Sequence, residues 1–146
     1  MRGTGGDVGN ALFNHVKLFG GQIYYVDGTN GSDSNDGKSP TKAFATVVQA
    51  LAAVSAGDGV VVRAGTYISD VHDLDTNGVE IWCEIGTIFQ AETGVPPFTI
   101  SANYCRFTCP GGAIRINAPA GGTGLLTSGN FVYVNEVRVD CDINDA

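Results

Sequence analysis

The chain has 146 residues, a net charge of −7 and a pI near 4.5, which excludes a nucleic-acid binder that works through a basic surface. It carries 21 glycines, 43% hydrophobic and only 16% charged residues, a balance that excludes an ordinary disordered chain and demands frequent turns. No run approaches 18 consecutive apolar residues, so no membrane-spanning helix is expected, and Met1–Asn10 lacks the apolar stretch of a secretory signal.

Residues 1–21 are rich in glycine yet hold an apolar cluster: Leu12, Phe13, Val16, Leu18 and Phe19. The segment is too short to bury these side chains by itself, so it reads as a docking arm that orders against a partner. Ile23, Tyr24, Tyr25 and Val26 follow as a short strand of aromatic and β-branched residues. Asp27 to Pro40 is almost entirely turn chemistry, with Asn30-Gly31 and Asp36-Gly37 suited to positive φ. Asp27, Asp33 and Asp36 could form a calcium loop, but their spacing is not that of an EF-hand, and structural Asx-turns explain them more simply. Lys42 to Val54 predicts the one helix: Phe44, Val47, Val48, Leu51 and Val54 form an apolar stripe, Ser39 and Thr41 can cap its start, and Gly57 lies past its end.

Beyond Gly57-Asp58-Gly59 the pattern becomes short strands cut by turns. Ile81, Cys83, Ile85, Phe107, Cys109, Ile116, Val137 and Val139 are predicted to point inward, with Trp82, Arg106, Arg115 and Arg138 outward. Strands return at intervals of about 20–30 residues: Cys83 to Phe107 and Ile85 to Cys109 are each 24 apart, and the next pass, Phe107 to Val139, is longer at 32, extended by a Gly-rich excursion. This period predicts an all-β fold, a short right-handed parallel β-helix (a solenoid) with an N-terminal capping α-helix over 42–54, coils over about 60–146 and an extended N-terminal arm. The domain division is then 1–21 for the arm and 22–146 for the β-helix. The end after Val139 carries no capping element and calls for further chain or a partner there. Outward Trp82 is the aromatic expected to touch a neighbouring subunit.

The four cysteines, Cys83, Cys105, Cys109 and Cys141, show no CxxC pair and no nearby histidine, so they read as buried free thiols, or as a disulfide between neighbouring chain passes, rather than zinc ligands. Asp70, Asp73 and Asp75 around His72, and the pair Glu80 and Glu84, are the carboxylate groupings an enzyme would need. Glu80 and Glu84 lie about 13 Å apart along a strand, too far for a hydrolase pair. No residue is therefore assigned a catalytic or metal-ligating role, and no cofactor is expected.

Tyr24-Tyr25-Val26-Asp27, Asn30-Gly31-Ser32-Asp33, Asn35-Asp36-Gly37, Ser39-Pro40, Phe44-Ala45-Thr46, Gly57-Asp58 and Ala64-Gly65-Thr66-Tyr67 together resemble the opening motif of right-handed parallel β-helix proteins of the pectate-lyase-like superfamily. The resemblance covers about residues 23–67 and is strongest to bacteriophage virion proteins. It implies a helix plugging the N-terminal end, and a non-enzymatic virion structural protein: a capsid decoration protein, head fibre or tail-spike part, assembled in the bacterial host cytoplasm. It further implies a homotrimer, with residues 1–21 contacting other virion proteins and a host surface glycan as a further ligand. The alternatives that the same resemblance allows are a polysaccharide lyase or hydrolase and a carbohydrate-binding module.

Overall fold

A computed structural model describes residues 20–68, 72–91, 96–118, 123–135 and 137–141. The elements, in order, are β1 (Ile23–Val26), a 3-10 turn (Pro40–Lys42), α1 (Val47–Ala53), β2 (Gly59–Val62), β3 (Gly65–Ile68), β4 (His72–Leu74), β5 (Glu80–Cys83), β6 (Thr87–Gln90), β7 (Phe98–Ile100), β8 (Arg106–Thr108), β9 (Ile114–Ala118), β10 (Leu125–Thr127), β11 (Tyr133–Val134) and β12 (Val137–Cys141). They form three sheets. Sheet I has the order β1-β2-β5-β8-β11, sheet II β3-β6-β9-β12 and sheet III β4-β7-β10. Every strand pairing is parallel. From β2 onward the chain visits sheets I, II and III in rotation, and each strand pairs with the one from the previous round.

The fold-class expectation is corrected on this evidence of layout. In place of an all-β right-handed β-helix capped over 42–54 and led by an extended arm, the described residues show three parallel sheets and a single helix of 7 residues. The helix is shorter because the chain before it stays extended. Ala43 and Thr46 have β-region dihedrals, and Phe44 makes an isolated bridge to Val26 instead of a helical turn. Thr46 starts α1 as its N-cap, its hydroxyl accepting the Gln49 N–H. Val47, Ala50 and Leu51 are buried on the face that meets β1 and β4, whereas Val48 points to solvent. The arm expected over residues 1–21 lies outside the described residues up to position 19.

Register explains which inward residues were anticipated. Val60 pairs with Ile81 and Ile81 with Phe107, so the repeat at this point runs two residues earlier than the Cys83-to-Phe107 spacing suggested. Val139 pairs with Ile116 in sheet II, and the partner of Phe107 is Val134. A slip of two preserves side-chain parity, so Ile81, Cys83, Phe107, Cys109 and Ile116 are still buried. Ile85 is not: it is 61% exposed, because β5 stops at Cys83 and the Glu84–Thr87 turn breaks the alternation. Val137 is partly buried, and the side chain of Val139 lies outside the described set.

The interior between the sheets is aromatic. Phe98 stacks on Phe107 with centroids 4.6 Å apart, and Phe89 meets Phe98 edge-on at 5.0 Å. At the opening end, Phe44 is only 3% exposed and stacks on Tyr24. Gly37, at φ +69°, packs directly under the Phe44 ring, where any side chain would collide. Phe44→Ala therefore empties a site that neighbours cannot refill, and should lower unfolding free energy by about 3–5 kcal/mol, read from urea midpoints.

Candidate interaction site

Carboxylates in the turn-rich opening are committed to backbone. Asp27 accepts the Thr29 and Asn30 N–H groups at 2.9 and 3.0 Å, and Arg63 lies 3.3 Å away. Burial pushes its carboxyl upward, but the hydrogen bonds from Asn30 and Thr29 and the Arg63 charge hold it below the usual range. Asp33 accepts from the N–H groups of Ala45 and Thr46 and from the Thr46 hydroxyl, which fixes the start of α1. Asp36 accepts the Lys38 N–H, and Asp58 ties the Gln22 and Ser55 N–H groups together. These are Asx-type closures, the simpler of the two readings of Asp27, Asp33 and Asp36.

The two candidate catalytic groupings are not assembled. Asp70 lies outside the described residues. Asp73 accepts the Thr99 hydroxyl on the outer face of sheet III, and Asp75 accepts the Thr76 hydroxyl. His72 points the opposite way, into the interior, stacked on Phe98 and edge-on to Phe89. Glu84 accepts the Ala64 N–H, while Glu80 accepts the Trp82 indole N–H and faces Arg106 at 3.8 Å. Cys83, Cys105 and Cys109 are buried free thiols, and burial raises the first two above the ordinary thiol range, which suppresses their reactivity.

Of the residues expected to dock a partner, Leu12, Phe13, Val16, Leu18 and Phe19 lie outside the described residues. Trp82 faces outward as expected, but it is only 6% exposed and so is not an open contact residue. It clusters with Ile23, Tyr25 and Val61 on the outer face of sheet I.

The surface that stands open is elsewhere, at the corner leading into sheet I. Gly57, Gly78, Tyr104 and Phe131 each sit two residues before a strand of that sheet, and all four have positive φ: 90°, 71°, 59° and 58°. The corner is held by a repeated network. The N–H of Gly57, Gly78 and Tyr104 donates to Gly78, Asn103 and Asn130 carbonyls respectively. Asn77 Oδ1 accepts the Asn103 N–H, and Asn103 Oδ1 accepts the Asn130 N–H, each at 2.7 Å. The geometry requires a left-handed residue in every round. Glycine meets this requirement at little cost in the first two, and a bulky side chain costs about 1–2 kcal/mol in each of the last two.

The two strained aromatics stack with ring centroids 5.1 Å apart and planes 4° from parallel. Tyr104 is 61% and Phe131 76% exposed. Such a pair contributes about 0.5–1.5 kcal/mol, less than the strain of two left-handed positions. Internal stability therefore does not account for them. Beside Phe131, the half-exposed Tyr133 ring receives the Arg106 guanidinium 5.1 Å from its centroid, extending the aromatic strip onto sheet I. Sequence reasoning passed over these residues. The available signal was the recurring Asn-Gly, Asn-Tyr and Asn-Phe steps at Asn77, Asn103 and Asn130, which are 26 and 27 apart.

Buried His72 makes the stability of the core depend on pH. Its Nδ1–H donates to the Pro97 carbonyl at 2.7 Å, and burial lowers its pKa despite that bond. The unfolded chain binds this proton near pH ~6.5 and the folded chain only at lower pH. Stability contributed by the neutral ring is thus complete above about pH 6.5 and falls as pH drops below it. Urea midpoints measured from pH 7.5 to 5 should decline, and His72→Phe should flatten the decline. No protein family, curated protein or solved structure matches this chain.

Proposed function

We propose that this chain is a non-enzymatic structural component of a bacteriophage virion, and that it associates with copies of itself, as a homotrimer, through the strip of Tyr104, Phe131 and Tyr133. The carrying observation is the exposed, stacked Tyr104–Phe131 pair, kept in left-handed backbone that glycine would occupy without strain. Exposed aromatics beside an arginine are the residue types that dominate the energy of protein interfaces. Virion membership draws on the opening motif over residues 23–67, whose Asp27, Asp33 and Asp58 hold backbone rather than lining a cleft.

Tyr104→Gly/Phe131→Gly removes both rings and relaxes both corners. Relief of strain at two left-handed positions exceeds the lost stacking, so thermal stability should hold or rise. Light scattering on the isolated protein should give three chain masses for the native sequence and one for the double variant. A monomeric native protein, or a double variant that keeps its trimer, rejects the reading. A second reading, binding of a neutral glycan, is favoured by the coplanar open rings flanked by Asn103 and Asn130. A native monomer retained on a neutral polysaccharide gel, with retention lost in the double variant, selects it.

A further inference from the structure

The three sheets are finished differently at the opening end of the stack. Sheet I begins with β1, whose free edge is paired with the turn-rich segment: Tyr25 N–H donates to Gly37 O, Phe44 N–H to Tyr25 O and Asp27 N–H to Phe44 O. Sheet III begins with β4, and α1 packs against it. Sheet II begins with β3, which pairs with β6 alone. Among the described residues, no backbone group of β3 is bonded on its other edge. Alternate residues of a paired strand turn their N–H and C=O groups to opposite sides, so part of the β3 backbone faces away from β6. The opening turn accounts for this. Two residues separate β2 from β3, and two residues past β1 the chain reaches Gly28. There the Asp27 carboxylate collects the Thr29 and Asn30 N–H groups and turns the chain out of the line of sheet II.

A cavity of about 350 Å³ lies beside this edge. Thr66, Tyr67 and Ile68 all line it, although successive strand residues point to opposite faces, so it runs along the edge and not over a face. Gly28 and residues 45–48 form the other wall. Val47 is fully buried there, whereas Val48 and Ile68 are 43% and 54% exposed. The wall holds no Asp, Glu, Lys or Arg among the described residues. His72, which also lines it, is neutral at pH 7 because burial lowers its pKa.

We propose that the free edge of β3 is a docking site for an extended, uncharged peptide segment of another protein, which enters between β3 and the start of α1 and pairs as a further strand of sheet II. Three properties of the cavity define this occupant. Its long side is a row of backbone donors and acceptors at strand spacing, which another extended backbone matches group for group. The edge is four residues long, about 13 Å, so about four residues of the segment engage it. Its side-chain lining is aliphatic at Val47, Val48 and Ile68 and carries no charge to pair an ion, which favours β-branched residues, themselves suited to an extended chain. The site is separate from the Tyr104–Phe131 strip and does not depend on self-association.

The probe is the capped peptide acetyl-Thr-Val-Thr-Val-Thr-amide, titrated into the isotope-labelled full chain to about 5 mM, a concentration that registers a Kd of about 1 mM. Amide resonances of β3, Gly28 and residues 45–48 should shift. Alternate amides of β3 should exchange freely with solvent in the free protein and slow about tenfold when the peptide is bound. The fully N-methylated peptide keeps the side chains and loses every backbone donor, and should bind at least about tenfold more weakly. Val48→Asp/Ile68→Asp places charge at two exposed positions, so the fold is kept while affinity for the peptide falls about tenfold. The Tyr104→Gly/Phe131→Gly variant should bind the peptide as the native chain does, whatever its mass. Absence of shifts at β3, or affinity unchanged by N-methylation or by the Val48→Asp/Ile68→Asp pair, overturns the proposal. So does protection of every β3 amide in the free protein, since the chain would then cover this edge itself.

Discussion

Parallel stacking in register is the constraint on which the rest of this structure depends. A strand of two to five residues has too few hydrogen bonds and too little area to persist alone. Here each short strand lies on its counterpart from the previous round, so its inward residue lands on an inward residue: Val60 on Ile81 on Phe107, Tyr67 on Phe89 on Ile116, His72 on Phe98 on Leu125. The columns make the interior continuous along the stack. They also make the turns repeat, because equal strand positions leave equal gaps to bridge. The asparagine network at Asn77, Asn103 and Asn130 follows from that repetition.

The same constraint decides where polar chemistry goes. Parallel stacking leaves backbone groups unpaired at the opening end and in the turns, and most acids of the described chain are used there. Asp27, Asp33 and Asp58 each accept from two backbone N–H groups, so the charged oxygens substitute for missing strand partners. Tyr67 works similarly from inside: its hydroxyl donates to Arg63 O and accepts from Gly28 N–H, and burial pushes its pKa to about 12. A carboxylate held by backbone donors is a poor proton acceptor for a substrate.

Much of this was legible in the sequence through parity. The alternation of Ile81 with Cys83, or Ile114 with Ile116, identifies an inward face whatever the exact pairing, because parity survives an even slip. The length of each turn was not legible, so the spacing assigned to Cys83 and Phe107 fell two residues from the true partners, and Ile85 was carried past the end of its strand. The helix was overextended because Phe44 suits a helical stripe, whereas its pairing with Val26 is a tertiary contact that periodicity cannot register. Trp82 was read correctly as outward, but burial of an outward side chain depends on a second layer that strand alternation does not describe. The aromatic strip was missed for a related reason: Tyr104 and Phe131 belong to turns, where hydrophobic periodicity carries no signal.

The corner occupied by Gly57, Gly78, Tyr104 and Phe131 has a consequence rooted in chirality. The left-handed region is hostile to L-residues because of the side-chain branch at Cα, and for a mirror-image residue the hostility is reversed. These four positions recur once per round, one strand spacing of about 4.8 Å apart. The fold therefore repeats, once per round, a site at which D-amino acids are at ease and L-amino acids are not. Chemical synthesis could place D-tyrosine or D-phenylalanine at those sites, converting an aromatic pair into an aromatic file with the period of the stack itself.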